Sequence, residues 1–395
     1  MSNASLSKGD ATPVAGRERS LPALLRRRAR HEAWGHALLG LGFFYLLIQR
    51  GPAHGVIQGA LASIGVLAVV HGLLWRHLDG NRPLGSSGIM VKLGTANRIT
   101  LFRGFLISLV AGFLFCIPED GQTGKTAWVW WPGCIYLAAA VLDGVDGFWA
   151  RRTGTQTRLG AALDVNMDAL GLLVASAVAV GSGRLPAYYL AAGWAYYLLQ
   201  LGVWHRRKRG GEIHPSGSRA LARLMAGIQM GFVGFALLPI FAASVLEKVA
   251  PLFLVPFLLG FIWDWALMHG HLRQAVAGRV RKILVGLAAK GPSVLRAGLL
   301  VWGGFLLQAA PLSALSNAML TNLALGLMVV MGFLGRSAAL LLSIHLACQA
   351  SVAGSPPDLL LALSAAVVIM MYGTGDGSLW RPEDALLLRE SGRQA

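Results

Sequence analysis

The chain has 395 residues, 55% of them hydrophobic and only 13% charged, with a mean hydropathy of +0.58, which lies outside the range of ordinary soluble domains. A bilayer core about 30 Å thick takes roughly 20 apolar residues per helical crossing, so the length allows many spans and leaves no soluble domain of useful size. The net charge of +17 would suggest nucleic acid in a soluble protein, but here Lys and Arg sit in short loops between apolar segments, which is the positive-inside pattern and also suits anionic lipid head groups. Nucleic acid is therefore not an expected partner.

Residues 1–33 are polar and basic, with Arg17, Arg19, Arg26, Arg27, Arg28 and Arg30. They lack the short apolar core and nearby small-residue cleavage site of a signal peptide, and read as a disordered cytoplasmic tail. Residues 34–92 hold two apolar segments, Trp34 to Ile48 and Val56 to Trp75, split by Arg50 to His54. These predict a helical hairpin. Its basic linker, Arg76 to Lys92, carries the turn-rich runs Asp79 to Pro83 and Gly85 to Gly88, and marks a domain boundary on the cytoplasmic side.

Six segments follow within 93–275: Ile99 to Ile117, Trp128 to Leu142, Ala161 to Val180, Pro186 to Val203, Leu224 to Leu246 and Pro251 to His269. Basic residues cluster before the first (Arg76, Arg82, Lys92, Arg98), after the second (Arg151, Arg152, Arg158), after the fourth (Arg206 to Arg209) and after the sixth (Arg273, Arg279, Arg281, Lys282). All these sets fall on one side, read as the cytoplasm. In 276–395, a basic and interfacial stretch to Arg296 precedes four short segments: Ala297 to Ala309, Met319 to Leu334, Ala338 to Ala353 and Asp358 to Met371. The expected architecture is an all-α polytopic membrane protein of about 12 spans, with both termini in the cytoplasm.

Carboxylates in or beside a span cost about 2.5 to 3.5 kcal/mol each at mid-membrane, so four of them in one stretch need a reason. Asp143 and Asp146 are spaced i, i+3 at the end of one predicted helix, and Asp164 and Asp168 are spaced i, i+4 on the next. Each pair shares a helix face, and a short turn brings the pairs together. Four like charges in a cleft repel unless a cation intervenes. Mg²⁺ and Mn²⁺ prefer such oxygen ligands, and Mg²⁺ keeps coordination positions for water and phosphates. Gly144, Gly147 and Gly160 leave room beside the acids for a phosphorylated ligand, and Arg151 has the fork geometry for a phosphate. The structural alternative is an intramembrane charge cluster that serves packing or ion passage. An EF-hand is excluded by its spacing and missing terminal Glu.

The run Asp143-x2-Asp146-Gly147-x2-Ala150-Arg151-x8-Gly160-x3-Asp164-x3-Asp168 resembles the complete signature of the CDP-alcohol phosphotransferases, with all eight fixed positions filled. The resemblance covers Gly94 to Leu272. Thr95-Ala-Asn97-Arg-Ile-Thr100-Leu-Phe-Arg103 is similar to the start of that family's first core helix, with Ala96 where Pro is usual. The resemblance implies a six-helix core with a polar cavity open to the cytoplasm, often in a homodimer. It implies that Asp143, Asp146, Asp164 and Asp168 hold two divalent ions, Mg²⁺ or Mn²⁺. Asp168 is also implied as the base that deprotonates the acceptor. Gly147, Ala150, Arg151 and Gly160, with Asn97 and Thr100, are implied to form the CDP site.

Other features of the chain have plainer explanations. Gly121 to Thr126 is P-loop-like, but the first glycine of that motif falls on Glu119; it reads as a solvated loop. Arg223 stands where the glycerophosphate-type members have a lysine, while their Lys-Thr pair is Met225-Ala226 here. Arg219 and Arg223 are therefore the expected acceptor-anion residues, and Arg206 to Lys208 read as topological charge. Asp264, in the sixth segment, is set aside as an ion-pair candidate. Trp128, Trp130 and Trp131 read as interfacial anchors. Cys116, Cys134 and Cys348 lack metal or redox spacing. Residues from Arg296 to Ala385, including Gly332 to Leu342 and Tyr372 to Leu379, are similar to the DoxX-like four-helix membrane family, which implies an accessory bundle.

Together with the loop charges, the resemblance implies a bacterial inner-membrane enzyme of phospholipid synthesis that faces the cytoplasm. It is expected to move a phosphatidyl or related phosphoalcohol group from a CDP-linked lipid donor, with CDP-diacylglycerol foremost, to an alcohol acceptor, releasing CMP. The competing class is a divalent-cation or proton carrier built on the same acids.

Overall fold

The computed structural model of the protein describes residues 14–50, 55–83, 88–116, 127–214, 219–270, 274–309, 316–353, 356–373 and 378; for 14–22, 50, 219–224, 274–290, 309 and 372 it describes the backbone alone. The P-loop-like stretch lies outside the described residues. Among those described there are twelve α-helices and no strand, so the all-α class holds. Five stretches, Val56–Gly80, Trp128–Thr153, Arg158–Gly181, Ala243–Met268 and Gly335–Ala353, are helical, long and apolar enough to cross a membrane, and Met225–Ala236, Asn317–Met331 and Pro357–Met371 are shorter apolar helices. The chain is an integral membrane protein with as many helices as the expected spans, five of them of full crossing length. It divides into two compact units, Met1–Val178 and Ala179–Ala395.

The first unit contains α1 (Val14–Arg50), α2 (Val56–His77), α3 (Thr95–Gly112), α4 (Trp131–Thr153) and most of α5 (Arg158–Gly181). The tail expected to be disordered is helical from Val14 onward. Its Ala, Leu and Arg content favours helix, and tertiary contacts fix it. Leu25 and Ala29, one turn apart, are buried. Glu32 pairs with Arg98 at 2.7 Å, and Arg28 Nη1 donates to the Val91 carbonyl at 3.1 Å. The tail is therefore docked on the linker and the start of α3.

Helix α3 is the spine of this unit, packed between α2 and α4, and Leu101, Arg103, Ile107 and Val110 are almost wholly enclosed. Close approach to α2 depends on small residues, as in other membrane helix pairs. A Cβ on Gly59 would lie 2.4 Å from the Gly112 carbonyl oxygen and 2.8 Å from Cys116 Sγ. Helix α4 ends at Gly154, whose φ of 63° gives the left-handed cap that only glycine adopts freely. Three residues later Thr157 Oγ1 accepts from the Gly160 N–H at 2.9 Å, a hydroxyl cap on the first turn of α5. This tight turn lets two carboxylate pairs that are distant along the chain meet.

The second unit holds α6 (Leu190–Lys208), α7 (Arg219–Ala236) and α8 (Ala243–Met268), with α6 and α7 packed on α8, then α9 (Gln274–Ala309), α10 (Asn317–Met331), α11 (Gly335–Ala353) and α12 (Pro357–Tyr372). Helices α9 and α11 each contact both α10 and α12, which makes a four-helix bundle. The basic stretch expected to lie at the interface is continuous with the first segment of this bundle in the single helix α9. Arginines here serve helix ends: Arg184 donates to the carbonyls of Ala236, Leu238 and Phe241, and Arg336 to those of Met370 and Met371.

Substituting Gly59→Ala pushes the added methyl into the backbone of α3, and overpacking of this kind costs about 1–3 kcal/mol. The thermal midpoint of the detergent-solubilised protein should fall, and an unchanged midpoint would show that the two helices have room to part.

Candidate active site

The four aspartates of the signature meet, and they meet around Arg103, the last residue of the Thr95 to Arg103 run. Arg103, on α3, is fully enclosed. Its Nη1 donates to Asp143 Oδ1, and lies 3.7 Å from Asp146 Oδ2 and 3.4 Å from Asp164 Oδ1. Its Nη2 donates to Asp168 Oδ1 at 2.7 Å and to the Asp164 backbone carbonyl at 3.1 Å. Three helices thus supply one constellation. α3 brings the cation, α4 brings Asp143 and Asp146, and α5 brings Asp164 and Asp168.

The carboxylates are not equivalent. Oxygens of Asp143, Asp164 and Asp168 all lie within 4.8 Å of one another, and their side chains are 34%, 47% and 32% exposed. Asp146 is turned inward at 6%, where Thr100 Oγ1 donates to its Oδ2 at 2.6 Å. Three carboxylates therefore form an open cluster, and the fourth backs it from the protein side.

One guanidinium cannot balance the formal charges of four carboxylates. The deficit is sharpest where water is scarce, because like charges repel more strongly as the effective dielectric falls. A hard divalent cation fits what is present: an all-oxygen donor set, accessible from one side, with ligand atoms from two helices close enough to share an ion.

The expected CDP-site residues divide into two groups. Gly147, Ala150 and Gly160 are half-buried and Arg151 is exposed. Arg151 folds back over Gly147, its Nη1 3.1 Å from where a Cβ would stand. Asn97 and Thr100, by contrast, are enclosed at 3% and 4%. Asn97 Nδ2 donates to Asn81 Oδ1 and Thr157 Oγ1, each at 3.2 Å, and Thr100 serves Asp146. Both sit behind the cluster and hold it. Arg219 and Arg223 lie in the first turns of α7, and their side chains are outside those described.

Arg103 carried a readable signal. Asn97, Thr100 and Arg103 recur every three residues on one face of α3, and an arginine inside an apolar segment calls for a partner. Tyr136 carried none. Its hydroxyl is enclosed and has no hydrogen-bond partner among the described residues, and its ring packs near Gly171, one turn beyond Asp168.

Residues 93–268 match one family model, CDP-alcohol phosphatidyltransferase. No curated protein and no solved structure matches the chain significantly.

Replacing Arg103 with Met removes the counter-charge of the enclosed Asp146 and of the three more open acids, which destabilises the fold because a carboxylate is left unanswered inside it. Thermal unfolding should show a lowered midpoint that millimolar Mg²⁺ raises more in the variant than in the wild type. Equal Mg²⁺ responses would mean that the guanidinium and the cation do not answer the same charge.

Proposed function

From the match of residues 93–268 to the CDP-alcohol phosphatidyltransferase family model, we propose that the protein transfers a phosphatidyl or related phosphoalcohol group from a CDP-linked donor, CDP-diacylglycerol foremost, to an alcohol, with release of CMP, in phospholipid synthesis. The observation that carries this reading is the convergence of Asp143, Asp164 and Asp168 on one open cluster with Asp146 behind it. Membership of the family supports phosphoalcohol transfer; the choice of donor and acceptor and the need for a metal are part of the proposal.

The acceptor hydroxyl attacks the phosphorus that carries the lipid alcohol. A new P–O bond forms as the bond to the CMP oxygen breaks, and the hydroxyl proton passes to Asp168. The hydrogen bond from Arg103 to Asp168 at 2.7 Å keeps that carboxylate oriented toward the open side of the cluster, as charge-assisted bonds do. Arg103 also fixes Asp143 and Asp164, so that α4 and α5 keep their spacing as the pyrophosphate enters. Two ions of Mg²⁺ or Mn²⁺, held by Asp143, Asp146, Asp164 and Asp168, would supply charge neutralisation on the pyrophosphate and the departing CMP.

Gly147, Ala150, Arg151 and Gly160 line the nucleotide side, Arg151 reaching a phosphate, while Asn97 and Thr100 support that wall from behind. Arg219 and Arg223 take an anionic group of the acceptor. The basic loops support a cytoplasm-facing site in a bacterial inner membrane.

Purified protein in lipid vesicles with Mg²⁺ should release CMP from CDP-diacylglycerol when given a panel of alcohols, and mass spectrometry should find the matching phosphodiester lipid. Asp168→Asn should slow turnover by about 10²- to 10⁴-fold, the usual worth of a general base, with CDP-lipid binding retained. Full activity in that variant would remove Asp168 from the role of base, and cation flux without CMP release would favour the carrier.

A further inference from the structure

A buried amide lock ties the N-terminal region to the start of α5. Asn81 belongs to the linker, ahead of the residues that match the family model, and is fully enclosed. Every polar atom of its side chain is used. Nδ2 donates to the carbonyls of Met90 at 2.8 Å and Lys92 at 3.1 Å, and Oδ1 accepts from Asn97 Nδ2 at 3.2 Å. Its backbone carbonyl also accepts from the Met90 N–H at 2.8 Å.

Asn97 passes the connection on. Its Nδ2 donates to Thr157 Oγ1 at 3.2 Å, and Thr157 Oγ1 caps the first turn of α5 through the Gly160 N–H. The same turn is held from outside: Pro83 and Thr157 form an antiparallel bridge, and the Arg158 N–H donates to the Arg82 carbonyl at 3.2 Å. A Cβ on Gly160 would stand 2.6 Å from Asn97 Oδ1, so Gly160 and Asn97 are in close register. Helix α1 grips the far side of the linker through Arg28 and Val91.

Buried side-chain amides cost free energy unless fully hydrogen-bonded. This one is satisfied only while the linker and α3 keep this register, and Asn97, bonded to both Asn81 and Thr157, carries the register to the α4–α5 turn. We infer that Asn81 is a positioning residue for the transferase: acting through Asn97 and Thr157, it fixes Gly160 and the nucleotide wall of the site. The inference rests on the function proposed above, which puts CDP beside Gly160. On that reading the wall holds the nucleotide and contributes no group to the proton transfer, so the lock serves binding that is equal in ground and transition states, and its loss shows in KM rather than kcat.

The test is a double-mutant cycle in full-length protein in vesicles, reading CMP release against CDP-diacylglycerol concentration at saturating Mg²⁺. Asn81→Ala should raise the donor KM about tenfold with kcat within about threefold. The double variant with Asn97→Ala should have the KM of Asn97→Ala alone, since Asn81 acts through Asn97. An unchanged KM in Asn81→Ala, additive effects, or a fall in kcat alone would overturn the lock. A wild type that releases no CMP would sink the transferase reading and the lock together. If Asn81→Ala does not fold, hydrogen exchange in the wild type decides. CDP-diacylglycerol should slow exchange of the Met90 and Gly160 amides by about tenfold through linkage of binding to local opening, and unchanged exchange at Met90 would overturn the proposal.

Discussion

A guanidinium closed off from solvent, set among four carboxylates, governs the rest of this structure. Such a group is tolerated inside packed helices only when its charge is answered, and Arg103 is answered by residues from α4 and α5. The converse also holds. The four aspartates need more positive charge than Arg103 supplies, and the side on which they are exposed is where a divalent cation and a pyrophosphate would provide it. Protein stability and ligand chemistry therefore meet in one electrostatic balance, with the guanidinium holding the carboxylates at working distance.

Around that balance the packing is arranged to bring three helices close. Gly59 and Gly112 let α2 and α3 approach at backbone distance, Gly154 turns the chain sharply after α4, and Thr157 caps α5 immediately afterwards. Gly104, on the same helix as Arg103, admits Val70 and Met167, each within 3 Å of where its Cβ would be. A bulkier residue at Gly59, Gly104 or Gly112 would separate elements whose side chains have to meet within a few ångströms, whereas at Gly154 it is the left-handed backbone that calls for glycine. Glycine in a helix weakens it in isolation; here it is the condition for tertiary contact.

Much of this was legible in the chain. The i, i+3 and i, i+4 spacings placed the two acid pairs, and the glycines between them marked a turn that leaves space. What escaped the reading shares a cause: residues whose role depends on a partner distant in sequence. Arg103 was counted with its motif, although its spacing from Thr100 put it on the polar face of α3. Asn81 stands between Gly80 and Arg82 in a run that looks like turn punctuation, and only the fold shows that its amide is spent on Met90, Lys92 and Asn97. The helical part of the tail was hidden by its arginines, which read as solvated; among its described side chains only Leu25 and Ala29 are buried, and two positions make no periodic pattern. The continuity of α9 was obscured in the same way, by basic residues that suggested an interface.

The most direct test of the central claim is Mn²⁺ binding to the full-length protein, followed by electron paramagnetic resonance in detergent micelles. The acid cluster predicts saturable binding that is lost in Asp143→Asn and Asp164→Asn and kept in Asp264→Asn. Binding that survives the first two substitutions, or is absent from the wild type, would contradict it.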